Sequence, residues 1–214
     1  MILALETSTP NASLALWDRE ENRVVWEAGF TTNRSHNSKI FVPVEEALGI
    51  AGDRLEFLAV GIGPGSYTGV RVAIAVANGL SFAREIPAVG ISSLEAFPAA
   101  SCTIVGDARR KSFFRAEVSD RVLGGEPDLL EAADFAEQHA DFEPPVVTAD
   151  QHVSKEFATV ELAFPTAAIL AGIAAELDAP EIEERSQKPL EPHYLRPPYI
   201  TTPKPKPQVL RETD

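Results

Sequence analysis

A short segment near the N-terminus, Glu6-Thr7-Ser8-Thr9, has residue types that can bind a phosphate or a metal ion. In the turn of a hairpin, a carboxylate can orient a hydrated Mg²⁺ while hydroxyls and backbone amides bind the phosphate. Glu6, Thr7 and Ser8 are therefore candidate cofactor-binding residues. The alternative is a hydroxyl-rich hairpin turn that binds no ligand.

A glycine-rich segment, Gly61–Arg71 with the sequence GIGPGSYTGVR, lies between a predicted strand and a predicted helix. Free amides at a helix N-terminus favour anions, so this position suits phosphate binding. The spacing fits neither standard motif, because the third glycine of GxGxxG is missing at residue 68 and the P-loop lysine is absent. The structural alternative is a tight turn whose glycines adopt left-handed backbone.

The helix predicted over Val70–Arg84 is apolar around most of its circumference, as is typical of a helix that is buried on more than one side. Small residues recur at every fourth position and would let a second helix approach closely. They form two rows, Gly69-Ala73-Ala77 and Ala75-Gly79-Ala83. The helix either lies between two elements of its own lobe or presents one side as a protein interface. We favour the interface, because this lobe offers one other convincing helix to cover it.

The other residues with catalytic or metal-binding potential do not form a recognisable site. The four histidines lack the HxxxH and HExxH spacings that build a metal site on a helix. They are His36, His139, His152 and His193. Cys102 has no adjacent base, and the chain contains no GxSxG nucleophile motif. The sequence therefore predicts neither a catalytic residue nor a metal site.

The chain is acidic: 19 Lys and Arg residues against 32 Asp and Glu give a net charge of −13 over 214 residues. We do not expect this chain to bind RNA or DNA alone, because such affinity depends on basic groups that displace counterions from phosphates. Ten carboxylates and one base between Glu126 and Glu161 indicate a solvated acidic face or a docking surface for a basic partner. The basic run Arg109-Arg110-Lys111 is interpreted as a solvated turn.

Composition also gives an expectation for the compartment. A single cysteine excludes an internal disulfide and fits a reducing compartment. The N-terminus lacks the basic region of a secretory signal, and no uncharged stretch approaches the roughly 20 residues that a spanning helix needs. We expect a cytoplasmic protein that does not contact a membrane.

Short strands and helices must position these candidates. A hairpin of Ile2–Glu6 and Ser13–Trp17 places Glu6 at its turn, and Arg23–Phe30 adds a third strand. The elements that follow are a helix from Ser35 to Gly49 kinked at Pro43, a strand at Phe57–Ile62, the helix Val70–Arg84 and a strand at Ala88–Ile91. The order strand, helix, strand predicts a right-handed parallel crossover.

The strand pattern partly restarts after residue 100, with strands at Thr103–Gly106 and Phe113–Val118 joined by a polar turn. Leu129–Ala140 is weakly helical, and Thr166–Leu177 predicts a stronger helix. We therefore divide the chain into an N-terminal lobe at residues 1–100 and an acidic C-terminal lobe at 101–200. Residues 201–214 form a proline-rich tail.

Several motifs together resemble the bacterial TsaB (YeaZ) family. They are ILALETS at the N-terminus, His36 before a helix that contains Pro43, then GPGSYTGVR, GISSLEA, DARR and Tyr194-Leu195-Arg196. The resemblance spans residues 1 to about 120 and is carried most specifically by GPGSYTGVR. It implies a two-lobed, actin-like (sugar kinase/Hsp70/actin, ASKHA) α/β fold with mixed sheets flanked by helices. Glu6 departs from the family pattern, in which many relatives carry Asp.

The resemblance also implies a non-catalytic scaffolding role in threonylcarbamoyladenosine modification of tRNA. In that family the protein pairs with a larger catalytic paralogue, TsaD, and an ATPase subunit, TsaE, docks on the pair. This chain alone would bind no cofactor, and ATP, Mg²⁺ and metal would belong to the partner subunits. It would reach tRNA only through the complex. The apolar surface of the helix Val70–Arg84 separately predicts a homodimer when the partner is absent, and a homodimeric regulator that uses the same two helices is a further alternative.

The family pairs through the first two helices of the N-terminal lobe. Carried onto this sequence, the expected partner interface consists of His36, Ile40, Val44, Leu48, Tyr67, Arg71, Ala75, Asn78, Gly79 and Phe82. The alternative function is an enzyme of the actin-like fold, either an ATP-dependent phosphotransferase that uses Glu6 or a metallopeptidase.

Overall fold

The structure is a computed structural model that describes residues 1–31 and 37–196. The predicted helix start at Ser35, the interface candidate His36 and the proline-rich tail 201–214 lie outside the described residues.

The first sheet has five strands in the order β3-β2-β1-β4-β5. Their bounds are β1 Ile2–Glu6, β2 Asn11–Asp18, β3 Arg23–Thr31, β4 Phe57–Gly61 and β5 Ala88–Ile91. The hairpins β1/β2 and β2/β3 are antiparallel, whereas β1/β4 and β4/β5 are parallel. The predicted hairpin, third strand and parallel crossover are therefore all present.

Helices cover both faces of this sheet. On one face lie α1, Phe41–Ala51, and α2, Tyr67–Arg84, packed on side chains such as Leu3, Leu5 and Leu58. On the other face lie α5, Ala167–Ala175, and α6, Ala179–Ser186, packed on Ile2, Phe57 and Val89. These helices bury β1 and β4 along their whole length. A strand that is covered on both faces carries apolar side chains on both.

The second sheet repeats the topology of the first. Its order is β11-β10-β6-β7-β8, with β9 also paired to β7. The strands are β6 Cys102–Asp107, β7 Ser112–Ser119, β8 Val122–Leu123, β9 Asp128–Glu131, β10 Val146–Thr148 and β11 Glu161–Leu162. The helices α3, Ala132–Gln138, and α4, Gln151–Glu156, accompany it. The two mixed sheets flanked by helices confirm the predicted fold class.

Three sequence expectations differ from the structure. The helix around Pro43 begins at Phe41, after a 3₁₀ turn, and ends at Ala51 rather than Gly49. Pro43 thus lies in the first turn, where its missing amide hydrogen breaks no helical bond and requires no kink. The segment Leu129–Ala140, predicted as a helix, is divided between β9 and α3.

The helices α5 and α6 belong to the sequence range predicted for the second lobe, yet they pack on the first sheet. The amide of Ala167 donates a hydrogen bond of 2.9 Å to the hydroxyl of Ser13 in β2.

Within the described residues, no helix is long and apolar enough to cross a membrane.

Candidate functional site

The candidate cofactor-binding turn at the end of β1 is buried. Glu6, Thr7 and Ser8 are exposed by 0%, 2% and 3%. The Oγ1 of Thr7 donates to the carbonyl of Gly69 at 2.8 Å, and the amide of Ser66 donates to the carbonyl of Ser8 at 2.6 Å. The glycine-rich loop and the start of α2 therefore cover the turn directly.

The glycines of this loop are required by close approach to the turn. A Cβ at Gly65 would lie 2.3 Å from the carbonyl oxygen of Ser8, and a Cβ at Gly69 would lie 2.0 Å from that of Thr7. Gly63 has φ +91°, in the left-handed region that favours glycine. The chain's own backbone thus fills the space above the hydroxyls, and a phosphate could reach them only if this loop moved away.

The carboxyl group of Glu6 is buried between strands. Its Oε1 accepts a hydrogen bond of 2.7 Å from the amide of Ser8, whereas its Oε2 has no hydrogen-bond partner among the described residues. A Cβ at Gly61 would lie 2.1 Å from Oε2, so only glycine leaves room for this carboxyl group. Burial raises the pKa of Glu6 above its ordinary value, although the hydrogen bond from the amide of Ser8 opposes the rise.

The exposed side of α2 carries most of the predicted partner interface. Tyr67, Arg71, Ala75, Asn78 and Phe82 recur at intervals of four or three residues and are all exposed. Such spacing places them on one face of the helix. Phe82 is 89% exposed and Tyr67 54% exposed, so two large aromatic side chains stand in solvent at opposite ends of this face.

The two rows of small residues on α2 have different positions. Ala73 and Ala77 of the first row are fully buried and face the sheet, whereas Ala75, Gly79 and Ala83 of the second row are exposed. The sequence predicted that one side of α2 would pack on its own sheet and the other would be an interface, and the described residues leave the second side uncovered.

Helix α1 contributes differently from the prediction. Ile40 and Val44 are 1% and 6% exposed and pack in the core with Leu3 and Leu58, so they cannot contact a partner directly. Leu48 is half-buried against the same core. Three other side chains of α1 face solvent instead: Phe41, Val42 and Ile50, exposed by 59%, 62% and 44%.

We use the term helical face for a set of exposed residues of α1 and α2, between which the carboxylates Glu45 and Glu46 are exposed as well. The set consists of Phe41, Val42, Gly49, Ile50, Tyr67, Arg71, Ala75, Asn78, Gly79, Phe82 and Ala83. Sequence periodicity missed Phe41, Val42 and Ile50 because it assigned the apolar residues of α1 to one stripe without showing which of them the sheet covers.

Two glycines of the helical face lie inside helices without a local reason. A Cβ at Gly49 or at Gly79 would meet no atom within 4 Å, and neither residue has a left-handed backbone. Glycine inside a helix costs about 0.5–1 kcal/mol relative to alanine. Their presence is explained if another element approaches the two helices closely.

Sequence reasoning also missed an interaction between α2 and the end of the described chain. The ring of Tyr194 stacks on that of Tyr67 with centroids 5.6 Å apart, and the Nε of Arg71 donates to the Tyr194 hydroxyl at 3.0 Å. The guanidinium carbon of Arg71 lies 4.4 Å from the centroid of the Tyr67 ring. The only sequence signal was the Tyr194-Leu195-Arg196 motif, which gave no location.

The other chemical candidates are structural in the described chain. Cys102 is buried, and burial raises its thiol pKa although Arg121 opposes the rise. His139 stacks on Phe135 and makes an edge contact with Phe157 in the second lobe. Among residues 1–31 and 37–196, no group of three or more His, Cys, Asp or Glu side chains could hold a metal ion.

Comparisons with known proteins give a consistent set of relatives. The model of the family described as "TsaD: tRNA N6-adenosine threonylcarbamoyltransferase" matches residues 30–188. The chain is 39% identical over 103 residues to the tRNA threonylcarbamoyladenosine biosynthesis protein TsaB of Haemophilus influenzae and 38% identical over 96 residues to the protein of that name from Escherichia coli. These matches cover 47% and 44% of this chain. They cover 42% and 40% of the relatives, so the chain spans about two fifths of the curated relatives it matches.

A solved structure, YeaZ from Pseudomonas aeruginosa, resembles the whole arrangement of the two sheets. It superimposes with a TM-score of 0.68 at 23% sequence identity, and the match covers 90% of this chain and 98% of that one. At this identity the likeness concerns the fold alone.

Proposed function

Since the chain belongs to the tRNA N6-adenosine threonylcarbamoyltransferase (TsaD) family and to its TsaB (YeaZ) branch, we propose that it acts in threonylcarbamoyladenosine biosynthesis in tRNA. In this proposal the chain is a non-catalytic scaffolding subunit. It forms a heterodimer with a larger TsaD paralogue and activates it. The paralogue transfers the threonylcarbamoyl group to the adenosine next to the anticodon.

The observation that carries this proposal is the helical face. Large apolar side chains rarely stay exposed together on a monomeric protein unless they bind something. Here Phe41, Val42, Tyr67 and Phe82 are each more than half exposed on two helices that cover the same face of one sheet. Aromatic and arginine side chains are also enriched at the centre of protein interfaces. Tyr67 and Arg71 supply both kinds at the start of α2.

The shape of the helical face favours a helix as the element that binds there. Ala75, Gly79 and Ala83 form a row of small exposed residues on α2, and the exposed side chain of Phe82 lies beside it. A helix of the partner can approach such a row closely, because no side chain holds the two backbones apart. Gly49 offers a second point of close approach on α1.

We assign the ATP, Mg²⁺ and metal of the reaction to the partner subunits. The covered position of Glu6, Thr7 and Ser8 supports this assignment over the alternative of an ATP-dependent phosphotransferase. The ATPase subunit TsaE would dock on the heterodimer, and tRNA would bind only to the complex. The net charge of −13 supports the last point, since it repels a polyanion.

In the absence of the paralogue, we expect the same helical face to form a homodimer, because its apolar side chains would otherwise remain hydrated.

The single cysteine is buried and free, which agrees with the proposal of a cytoplasmic protein.

The experiment is size-exclusion chromatography with light scattering on the chain mixed with the TsaD paralogue of the same genome. We expect a heterodimer peak that the variant Ala75→Arg loses. A charge placed without a counterion in a packed interface costs several kcal/mol, enough to prevent association at micromolar concentration.

The matched control is Ala136→Arg, the same substitution at an exposed position of α3 in the second lobe. This variant should keep the heterodimer peak. If wild-type chain and paralogue elute separately, the scaffolding proposal fails. If Ala75→Arg still forms the complex, the helical face is not the interface.

A further inference from the structure

The last ten described residues, 187–196, connect three parts of the molecule, and we call them the strap. They follow α6 and run past β5 to the start of α2. Leu190 packs on the core beneath α1 and α2, where its Cδ2 would be 3.3 Å from a Cβ at Gly90. The amide of His193 donates to the carbonyl of Ile62 at 2.8 Å. The strap is thereby anchored to the first sheet.

The same segment also binds the second lobe. The Nε2 of His193 lies 2.9 Å from the Oε2 of Glu126, which follows β8. An Nη2 of Arg196 donates to the hydroxyl of Ser112, the first residue of β7. The side chain of His193 is 22% exposed and that of Glu126 88% exposed, so Glu126 can be substituted without opening the core.

Between these anchors, Tyr194 contacts the helical face. Its ring stacks on Tyr67 and its hydroxyl accepts from Arg71, which itself lies over the Tyr67 ring. The three side chains hold one another in place although 123 residues separate Arg71 from Tyr194. Tyr67 and Arg71 are exposed, and without Tyr194 they would lose these restraints.

A cavity beside α2 shows that residues of the strap before Tyr194 also lie along the helix. It has a volume of about 320 Å³ and opens to solvent between the helix and the strap. Asn78 and Ser81 line it from α2, and residues 187–190 line it from the strap. The strap therefore forms one border of the helical face.

We propose that Tyr194 is a positioning residue of the partner-binding face, and that the strap makes the order of this face depend on contacts with the second lobe. The proposal rests on the proposed function. An interface whose long side chains are already held in place loses less conformational entropy on binding. Releasing the strap from the second lobe should therefore weaken binding at α2, although the released residues do not lie on α2.

The experiment compares four variants of the full chain for affinity to the TsaD paralogue by isothermal titration calorimetry. Tyr194→Ala removes the stack, and Glu126→Ala removes one of the two contacts between the strap and the second lobe, leaving that of Arg196 with Ser112. Glu126→Gln keeps an oxygen acceptor for His193 and serves as the conservative rescue. Val122→Ala truncates a 64% exposed apolar residue in β8 and serves as the control.

We expect Tyr194→Ala to raise the Kd roughly tenfold, the effect of freeing about two long side chains. Glu126→Ala should raise it by about two- to fivefold, because a single exposed pair holds the strap only weakly. Glu126→Gln and Val122→Ala should bind like the wild type. If Tyr194→Ala weakens binding while Glu126→Ala does not, the dependence on the second lobe is overturned and Tyr194 is a direct contact. If either alanine variant binds more tightly, the strap competes with the partner and the proposal is overturned.

A measurement on the free chain separates this proposal from the proposed function. The Nε–H of Arg71 donates to the Tyr194 hydroxyl, so its proton resonance should exchange slowly with water in the wild type. Glu126→Ala should accelerate this exchange several-fold, and Glu126→Gln should restore it. If wild-type chain does not bind the paralogue, the proposed function fails. Unchanged exchange in Glu126→Ala overturns the strap proposal in either case.

Discussion

At the scale of single residues, Glu6 is the most unusual group in the described chain. One of its carboxyl oxygens is buried without a hydrogen-bond partner, and burial raises the pKa of the group above its ordinary value of 4.5. The folded state therefore holds this proton at a pH where the unfolded chain has released it. The contribution of Glu6 to stability therefore falls as the pH rises from about 4.5 through its folded-state pKa, and then stays level.

We predict that Glu6→Gln stabilises the chain at pH 8 by about 1–3 kcal/mol, because the variant no longer buries a group that must either carry a charge or hold a proton that the unfolded chain has released. Glutamine keeps the acceptor for the amide of Ser8 and removes the charge. Most of the gain should disappear at pH 4, below the ordinary carboxyl pKa of 4.5. Urea unfolding at both pH values measures the effect.

The control for this prediction is Glu27→Gln on β3, an exposed carboxylate whose substitution should change stability by less than about 0.5 kcal/mol at either pH. A Glu6→Gln variant that is less stable than the wild type at pH 8 would contradict the prediction.

At the scale of the element, α2 contains two glycines with opposite surroundings. Gly69 lies against the buried turn, where a Cβ would be 2.0 Å from the backbone oxygen of Thr7. Gly79 faces solvent with no atom within 4 Å of the position of a Cβ. The first glycine is required by the fold, whereas the second is explained only by an approaching partner.

We predict that Gly69→Ala destabilises the free chain by about 1–3 kcal/mol, because backbone atoms must move apart. Gly79→Ala should stabilise it by about 0.5–1 kcal/mol, since alanine is the better helix former. Thermal unfolding of the two variants measures both effects. Gly79→Ala should nevertheless bind the TsaD paralogue more weakly than the wild type does, and equal binding would remove the argument for close helix approach.

At the scale of the whole molecule, the first sheet is completed by residues far along the chain. Helix α5 covers the face opposite α2, and its Leu170 is fully buried. A Cβ at Gly172 would lie 3.5 Å from the Trp17 ring on β2, so this tryptophan reports on the docking of α5. The N-terminal lobe thus depends on residues beyond position 160.

We predict that Leu170→Ala destabilises the chain by about 2–5 kcal/mol, through the lost apolar burial and the cavity that it leaves. Urea unfolding followed by tryptophan fluorescence measures it. The control is Leu162→Ala in β11, which is 42% exposed and should cost less than about 1 kcal/mol. Equal losses in the two variants would contradict the central position of α5.

Much of the local structure could be predicted from sequence. The alternation of apolar runs and turn residues predicted β1 to β5, and the repeat after residue 100 predicted the strands β6 and β7. The motif GPGSYTGVR left phosphate binding and a tight strand-to-helix turn as alternatives, and the close contacts of Gly65 and Gly69 favour the turn. These features follow from neighbouring residues, because backbone geometry and side-chain periodicity are local properties.

The composition of α2 predicted that the helix would be apolar on more than one side, but the sequence alone could not show which residues of α1 and α2 the sheet covers. Ile40 and Val44 belong to the core, while Phe41 and Val42 between them stand in solvent. All four residues are apolar, so the sequence does not distinguish them. Which of them are buried depends on the side of the helix that faces the sheet.

The sequence by itself determined the order of the elements from β1 to β7 and the family to which the chain is similar. The tertiary structure decided that the Glu6 turn is covered, that α5 completes the first sheet and that Tyr194 joins Tyr67 and Arg71. Each of these three facts depends on residues more than 50 positions apart. Periodicity shows that a surface must be covered, but the path of the folded chain determines which distant segment covers it.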